Sequence, residues 1–203
     1  MVQYFINGGE FMWPILISLL FGLGFAIERF YSLMMSGIDS KKFFDEIIEK
    51  INNDGSGAAL ELCETTSGPI ASIFHAGLSR MHRGLGEVEK AIQNAGSIEM
   101  AFLERNMIWL NAVITIAPML GFTGTVVGMI AAFDAIKAAN DISPAVVAGG
   151  ISQALLTTAF GLIVAMIIQT FQNVFVERID KLILDIEEQS VKIMDHLYEN
   201  ESK

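Results

Sequence analysis

Three long stretches of this chain contain no Asp, Glu, Lys or Arg: Phe11–Ile27, Asn106–Phe133 and Ile142–Val176. A charge-free apolar run of roughly 18 residues or more can cross a bilayer, because about 20 residues at 1.5 Å rise cover a hydrocarbon core of about 30 Å. The second and third runs satisfy this readily. The first is shorter, but Trp13 stands at its start and Phe30 and Tyr31 follow it, as expected of rings that favour the two interfaces. A cleaved signal peptide is not expected there, because no Lys or Arg precedes the run and no small-residue cleavage site follows it. With 52% hydrophobic residues concentrated in this way, the chain reads as an all-α integral membrane protein with three transmembrane helices.

The predicted division is a short N-terminal arm over 1–10, spans over 11–33, 106–135 and 144–176, a hydrophilic helical region over 34–105, a short loop over 136–143 and a C-terminal helix over 177–203. Positive charge is distributed unequally among these parts. Arg29, Arg105, Arg178 and Lys181 lie close to span ends on one side, and of the basic residues only Lys137 falls at the opposite tip. The positive-inside rule then predicts an external (periplasmic) N-terminus and a cytoplasmic C-terminus. Asp134 and Lys137 at the short tip read as interfacial anchors.

Within 34–105, Asp39-Ser40 is a helix cap ahead of Phe43, Phe44, Ile47, Ile48 and Ile51, which keep i, i+3, i+4 spacing. A turn cluster over Asn52–Gly57 ends that helix, a shorter one is expected over Ala58–Glu64, and another from Pro69 to about Met81. From Glu87 no stop is evident until Ala139-Asn140, so the second span is expected to continue as one helix from the hydrophilic region. Ser143-Pro144 marks the start of the last helix, whose apolar stripe Ile179, Leu182, Ile183, Ile186, Ile193 and Leu197 carries it far beyond the membrane. Each of these two helices is expected to be on the order of 80 Å long at 1.5 Å per residue.

Several chemistries are excluded at this level. Cys63 is the only cysteine, and His75, His82 and His196 have no ligand spacing, so no metal site or cofactor is expected. A net charge of −10 argues against nucleic acid. No nucleophile–base set or phosphate loop is present, so an enzyme is not expected.

The informative residues lie within the spans. Gly124 and Gly128 form a small-xxx-small pair in the second, with Ala132 one turn further on, and such faces allow close backbone approach in lipid. Pro118 removes a backbone hydrogen bond and favours a kink. Asn111, Thr115 and Thr125 add polar groups. In the third span Gly149, Gln153, Thr157, Gly161, Ala165 and Gln169 recur every four residues, with Thr158 beside them. A polar face is costly against hydrocarbon and is expected to look toward protein or water. Helix packing and a water-lined path both fit the pattern. No span interior holds a titratable side chain, so any proton that moves here needs a carboxylate from another polypeptide.

Leu110-Asn111, Ala117-Pro118-Met119-Leu120-Gly121, Gly124-Thr125-Val126-Val127-Gly128-Met129 and Gly150-Ile151-Ser152-Gln153-Ala154-Leu155-Leu156-Thr157-Thr158-Ala159-Phe160-Gly161-Leu162 together resemble the TolQ/ExbB/MotA family of proton-channel motor subunits. Gly8–Pro14 and the Ile27-Glu28-Arg29 exit are similar to the TolQ/ExbB branch, as are three spans rather than four. The resemblance implies a pentamer in the bacterial inner membrane whose second and third spans surround the helices of a small single-span ExbD/TolR-like partner. That partner supplies an intramembrane Asp, and the complex uses the proton-motive force to drive a TonB-like or Tol-Pal-like client. The family's pore-facing threonines correspond to Thr125 and Thr158, with Thr157, Gln153 and Thr115 as further candidates along the path. Pro118, Gly121, Gly124, Gly128 and Gly161 are the candidates for kinking and packing. Many ExbB and TolQ sequences carry Glu where this chain has Gln153, and an amide cannot titrate. The competing expectation is a structural scaffold whose polar stripes only pack helices.

Overall fold

A computed structural model describes residues 2–37, 39–139 and 144–201. Among these residues the secondary structure is helical and contains no strand. The helices are α1 (Val2–Asn7), α2 (Met12–Met35), α3 (Ser40–Asp54), α4 (Ser56–Thr65), α5 (Pro69–Leu78), α6 (Leu85–Glu104), α7 (Met107–Ala139) and α8 (Pro144–Glu201). A 3-10 turn over Met81–Arg83 separates α5 from α6. Three helical segments are long and apolar enough to cross a membrane, matching the all-α, three-span expectation.

Several local expectations hold in detail. Asp39 caps α3, its carboxylate accepting from the Lys42 amide at 3.2 Å. The turn cluster after α3 contracts to Gly55, whose φ of 84° reverses the chain before α4. Pro144 opens α8, and Ser143, its expected cap, lies outside the described residues. The six-residue α1 was not expected.

The continuous helix expected from Glu87 to Ala139 is interrupted. α6 ends at Glu104 and α7 begins at Met107, because Asn106 takes a left-handed φ of 65°, a conformation that Asn tolerates better than most residues with a Cβ. The Asn106 side-chain amide donates to Glu28 Oε2 at 3.2 Å, and Glu28 also holds Arg29 through two 2.8 Å bonds. Arg29 is only 3% exposed, so its charge is taken from water against a bidentate partner, Glu28, that itself stays largely in contact with solvent. The second span is therefore a helix of 33 residues. The third lies in an unbroken helix of 58 residues, about 87 Å at 1.5 Å per residue.

The chain divides into two compact units. One comprises 1–29 and 106–174, the other 30–105 and 175–203. In the second unit α3, α5, α6 and the C-terminal part of α8 bury a core of large apolar side chains. Phe43, Ile47, Ile73, Phe74, Val88, Ile92, Ile186, Ile193 and Leu197 are each at most 5% exposed, and Phe43 stacks on Phe74 at 6.1 Å. His196 bonds Asn52 on α3 at 3.3 Å, and the Tyr198 hydroxyl donates to Glu89 on α6 at 3.4 Å. Gln189 lies in this core with neither end of its amide bonded. Burial pushes the Cys63 thiol up to about 12.

Candidate functional site

In the first unit α7 and α8 approach through small residues. A Cβ placed on Gly161 would lie 2.5 Å from the Ala117 carbonyl oxygen; one on Gly121 would lie 2.8 Å from the Thr157 carbonyl oxygen and 3.0 Å from the Thr158 Cα. Gly124 faces the Thr157 side chain at 2.6 Å, Gly128 faces Ala154 at 3.3 Å, and Gly150 faces Ala132. The contact row on α7 is thus Ala117, Gly121, Gly124, Gly128 and Ala132, and on α8 it is Gly150, Ala154, Thr157 and Gly161. Only residues with little or no side chain let two backbones come this close in lipid. Pro118, half-buried inside α7, lacks the N–H that would bond the carbonyl one turn earlier.

α2 covers one side of this pair. A Cβ on Gly22 would meet Ile168 of α8 at 2.8 Å and Val113 of α7 at 3.2 Å, and Trp109 of α7 packs against Phe21 and Phe25 at 6.0 Å. At about 100° of rotation per residue, Asn111, Thr115, Pro118, Phe122, Thr125 and Met129 fall in a stripe on the other side of the α7 contact row. On α8 the corresponding stripe carries Ile151, Thr158, Leu162 and Gln169. Thr158 reaches Gly121, its hydroxyl donating to that carbonyl at 3.2 Å, whereas Thr157 sits on Gly124. These two contacts put both outward stripes on the same side of the pair, opposite α2.

The candidate residues therefore separate. Thr125, Thr158 and Thr115 lie on the side away from α2, with Thr125 and Thr158 half-buried and Thr115 exposed. Thr157 is 1% exposed and its hydroxyl donates to the Ala154 carbonyl at 2.7 Å, inside the α7–α8 contact. Gln153 lies on the α2 side of the contact row, half-buried, its amide against Gly9. Gly9 has φ 74° and no Cβ, and both are needed for the arm to turn there and leave room for the amide. The every-fourth-residue stripe expected to form one polar face is corrected accordingly. Four residues turn a helix by about 400°, so the stripe drifts about 40° per step and winds around α8. Gln153 and Gln169 end on different sides.

The hydroxyls present on the outward side are nucleophilically inert and titrate far from neutrality. Thr125 donates to the Phe122 carbonyl at 2.5 Å and Thr115 to the Asn111 carbonyl at 3.0 Å. Such groups can hand a hydrogen bond to water or to a carboxylate but cannot store a net proton. No group of three metal-ligating side chains occurs among the described residues.

Two features escaped the sequence reading. The Glu28–Arg29–Asn106 cluster joins residues 78 positions apart, and its only local signal is a polar Asn directly before an apolar run. The second is Gln172, whose Oε1 is buried without a hydrogen-bond partner.

Comparison with known proteins agrees with this architecture. The chain is 31% identical over 187 residues to a biopolymer transport protein ExbB homolog of Methanothermobacter thermautotrophicus, covering 92% of this chain and 66% of that protein. It is 28% identical over 170 residues to the ExbB-like 3 biopolymer transport protein of Synechocystis, covering 83% and 81%. It is 28% identical over 169 residues to the Tol-Pal system protein TolQ of Pseudomonas aeruginosa, covering 78% and 68%. The chain thus spans slightly less than two thirds of the Methanothermobacter relative's length. The family model described as the MotA/TolQ/ExbB proton channel family matches residues 65–188, more than half of the chain, and with three apolar helices in place this protein is a multi-pass membrane member of the MotA/TolQ/ExbB proton channel family, on its TolQ/ExbB branch.

Proposed function

We propose that this chain is the channel-wall subunit of a motor driven by the proton-motive force. In this reading copies of the chain form a homo-oligomer, a pentamer, in the bacterial inner membrane, with the N-terminus periplasmic and the C-terminus cytoplasmic. The sides of α7 and α8 turned away from α2 face the membrane helices of a small single-span ExbD/TolR-like partner. That partner contributes the Asp that carries the proton, and the complex drives a TonB-like or Tol-Pal-like client.

The observation that supports this best is the placement of Thr125 and Thr158 on the one side of the α7–α8 pair that α2 leaves uncovered. Both hydroxyls can accept a hydrogen bond from a protonated carboxyl or orient a water beside it. Neither span offers a titratable group in its interior, so in this reading the proton carrier comes from elsewhere. Thr157 and Gln153 take other parts in this scheme. Thr157 packs α7 on α8, and Gln153 holds the turn at Gly9.

A scaffold reading has one observation in its favour. Thr115, Thr123, Thr125, Thr157 and Thr170 each donate to a carbonyl of their own helix, which satisfies them without a pore. Co-expression with a single-span protein bearing an intramembrane Asp separates the two readings. The channel reading expects copurification, proton uptake into vesicles holding the complex, and loss of that uptake in Thr125→Val and Thr158→Val with assembly unchanged. Full uptake in both variants sinks it.

A further inference from the structure

We propose that the groove between α2 and α7 is a phospholipid seat. It holds one acyl chain of the leaflet on the Arg29 side, with the glycerol ester at the Trp109 indole. The proposal does not depend on which side of α7 and α8 conducts.

The groove has a volume of about 380 Å³, within the range of about 300–1,000 Å³ found for small-molecule pockets. Ile17, Ser18 and Phe21 line it from α2, and Trp109, Ala112 and Ile116 from α7. Along α7 it runs for about 10 Å at 1.5 Å per residue. Half of a bilayer core is about 15 Å, so one leaflet's chains reach its whole length.

The lining decides what can occupy it. Apart from the Trp109 indole, its one polar side chain is Ser18, whose hydroxyl already donates to the Ile15 carbonyl at 2.7 Å. A polar group brought into the groove without a partner costs roughly 4–8 kcal/mol, so the occupant is apolar there. A helix from a second copy fits poorly. Where α7 meets α8 the contact is made through Gly and Ala, because small residues let backbones approach in lipid. The groove instead presents Ile17, Phe21, Trp109 and Ile116, all large and exposed. A helix about 10–12 Å across does not enter between such side chains, whereas a single acyl chain does.

Trp109 supplies the polar end. Phe21 and Phe25 pack on its ring at 6.0 Å and fix the indole, whose N–H donates to nothing among the described residues. The residue stands about 4.5 Å along the axis from Asn106, at 1.5 Å per residue, where Asn106 meets Glu28 and Arg29. Tryptophan rings settle at this headgroup boundary, and an indole N–H in apolar surroundings normally finds an acceptor. The ester carbonyl of a glycerophospholipid lies at that depth and accepts; an apolar helix face offers no such group. A lipid seated this way fills the seam between α2 and α7.

The test reconstitutes the chain in vesicles of phosphatidylethanolamine and phosphatidylglycerol, extracts it in mild detergent, washes it by repeated detergent exchange and counts phosphorus per chain. About one phospholipid per chain is expected to remain, as one groove of this size holds one ligand. It should stay in Leu20→Phe, on the lipid side outside the groove, and be lost in Ala112→Leu, which fills the floor. No phospholipid on the parent, or equal retention in Ala112→Leu, overturns the proposal. A second measurement needs no groove-filling variant. In a Trp13→Phe background Trp109 is the one tryptophan left, and a phospholipid carrying a nitroxide near the ester end of its acyl chain quenches it on contact. Trp109 should be quenched in vesicles doped with this lipid and should stay quenched through the detergent washes. Recovery of full fluorescence on washing overturns the seat whatever Ala112→Leu does. An unquenched Trp109 in the vesicles themselves places a second copy of the chain in the groove and equally overturns it.

Discussion

Where α7 meets α8 the residues in contact are Ala117, Gly121, Gly124, Gly128, Ala154, Thr157 and Gly161. Where α3, α5 and α6 meet they are Phe43, Ile47, Phe74, Gly77, Val88 and Ile92. The difference follows from the solvent around each. In water, burying a Phe or Ile side chain contributes about 1.5–3 kcal/mol, so large side chains drive association. Between lipid-embedded helices that term is nearly absent, and close backbone contact and hydrogen bonds take its place. One unit is therefore sensitive to side chains that become smaller, the other to side chains that become larger.

The comparison can be broken from either end. The largest effect is expected for Phe74→Ala, which removes a ring that is 1% exposed and stacked on Phe43. A loss of about 3–5 kcal/mol in the second unit is expected, read by denaturant unfolding in detergent. Gly161→Ala comes next. Its new Cβ meets a backbone oxygen that no side-chain rotation can move aside, and overpacking of this kind costs about 1–3 kcal/mol. Thermal unfolding should show it, with Gly128→Ala clearly milder because its nearest neighbour is an Ala154 Cβ at 3.3 Å.

Cys63 offers a readout that depends on pH. Its thiol is held up to about 12 by burial, above an ordinary value of 9.0. The raised value means that the neutral thiol's contribution to stability is complete below pH 9 and is lost as pH climbs from 9 toward 12. Folded protein at pH 8 should resist alkylation that is rapid in denaturant, and Cys63→Ala should lose less stability than the parent between pH 8 and pH 10. The smallest effect is expected for Gly24→Ala. Nothing lies within 4 Å of its added Cβ, so no loss and a gain of up to about 1 kcal/mol in thermal unfolding is expected.

These contrasts also show which parts of the molecule were legible in its residues. The spans were, because a charge-free run has few physical alternatives, and so was the Asp39 cap, which depends on a local bond. The break at Asn106 was not. It is one residue's φ held by Glu28, far away in sequence, and the flanking residues all favour helix. The different surroundings of Thr157 and Thr158 were equally hidden, since adjacent residues sit about 100° apart and only the position of α7 decides which is covered. The drift of a four-residue period could have been calculated in advance, and it would have taken Gln153 off the face of Thr158.

The central claim is that the side of α7 and α8 carrying Thr125 and Thr158 receives the partner's Asp-bearing helix. Disulfide trapping tests it most directly, with one cysteine beside the partner's Asp and another replacing Thr125, Thr158 or, as the opposite-side reference, Leu20. Crosslinks from 125 and 158 but not from 20 are expected. Crosslinks from 20 alone, or equal yields from all three, would contradict the account.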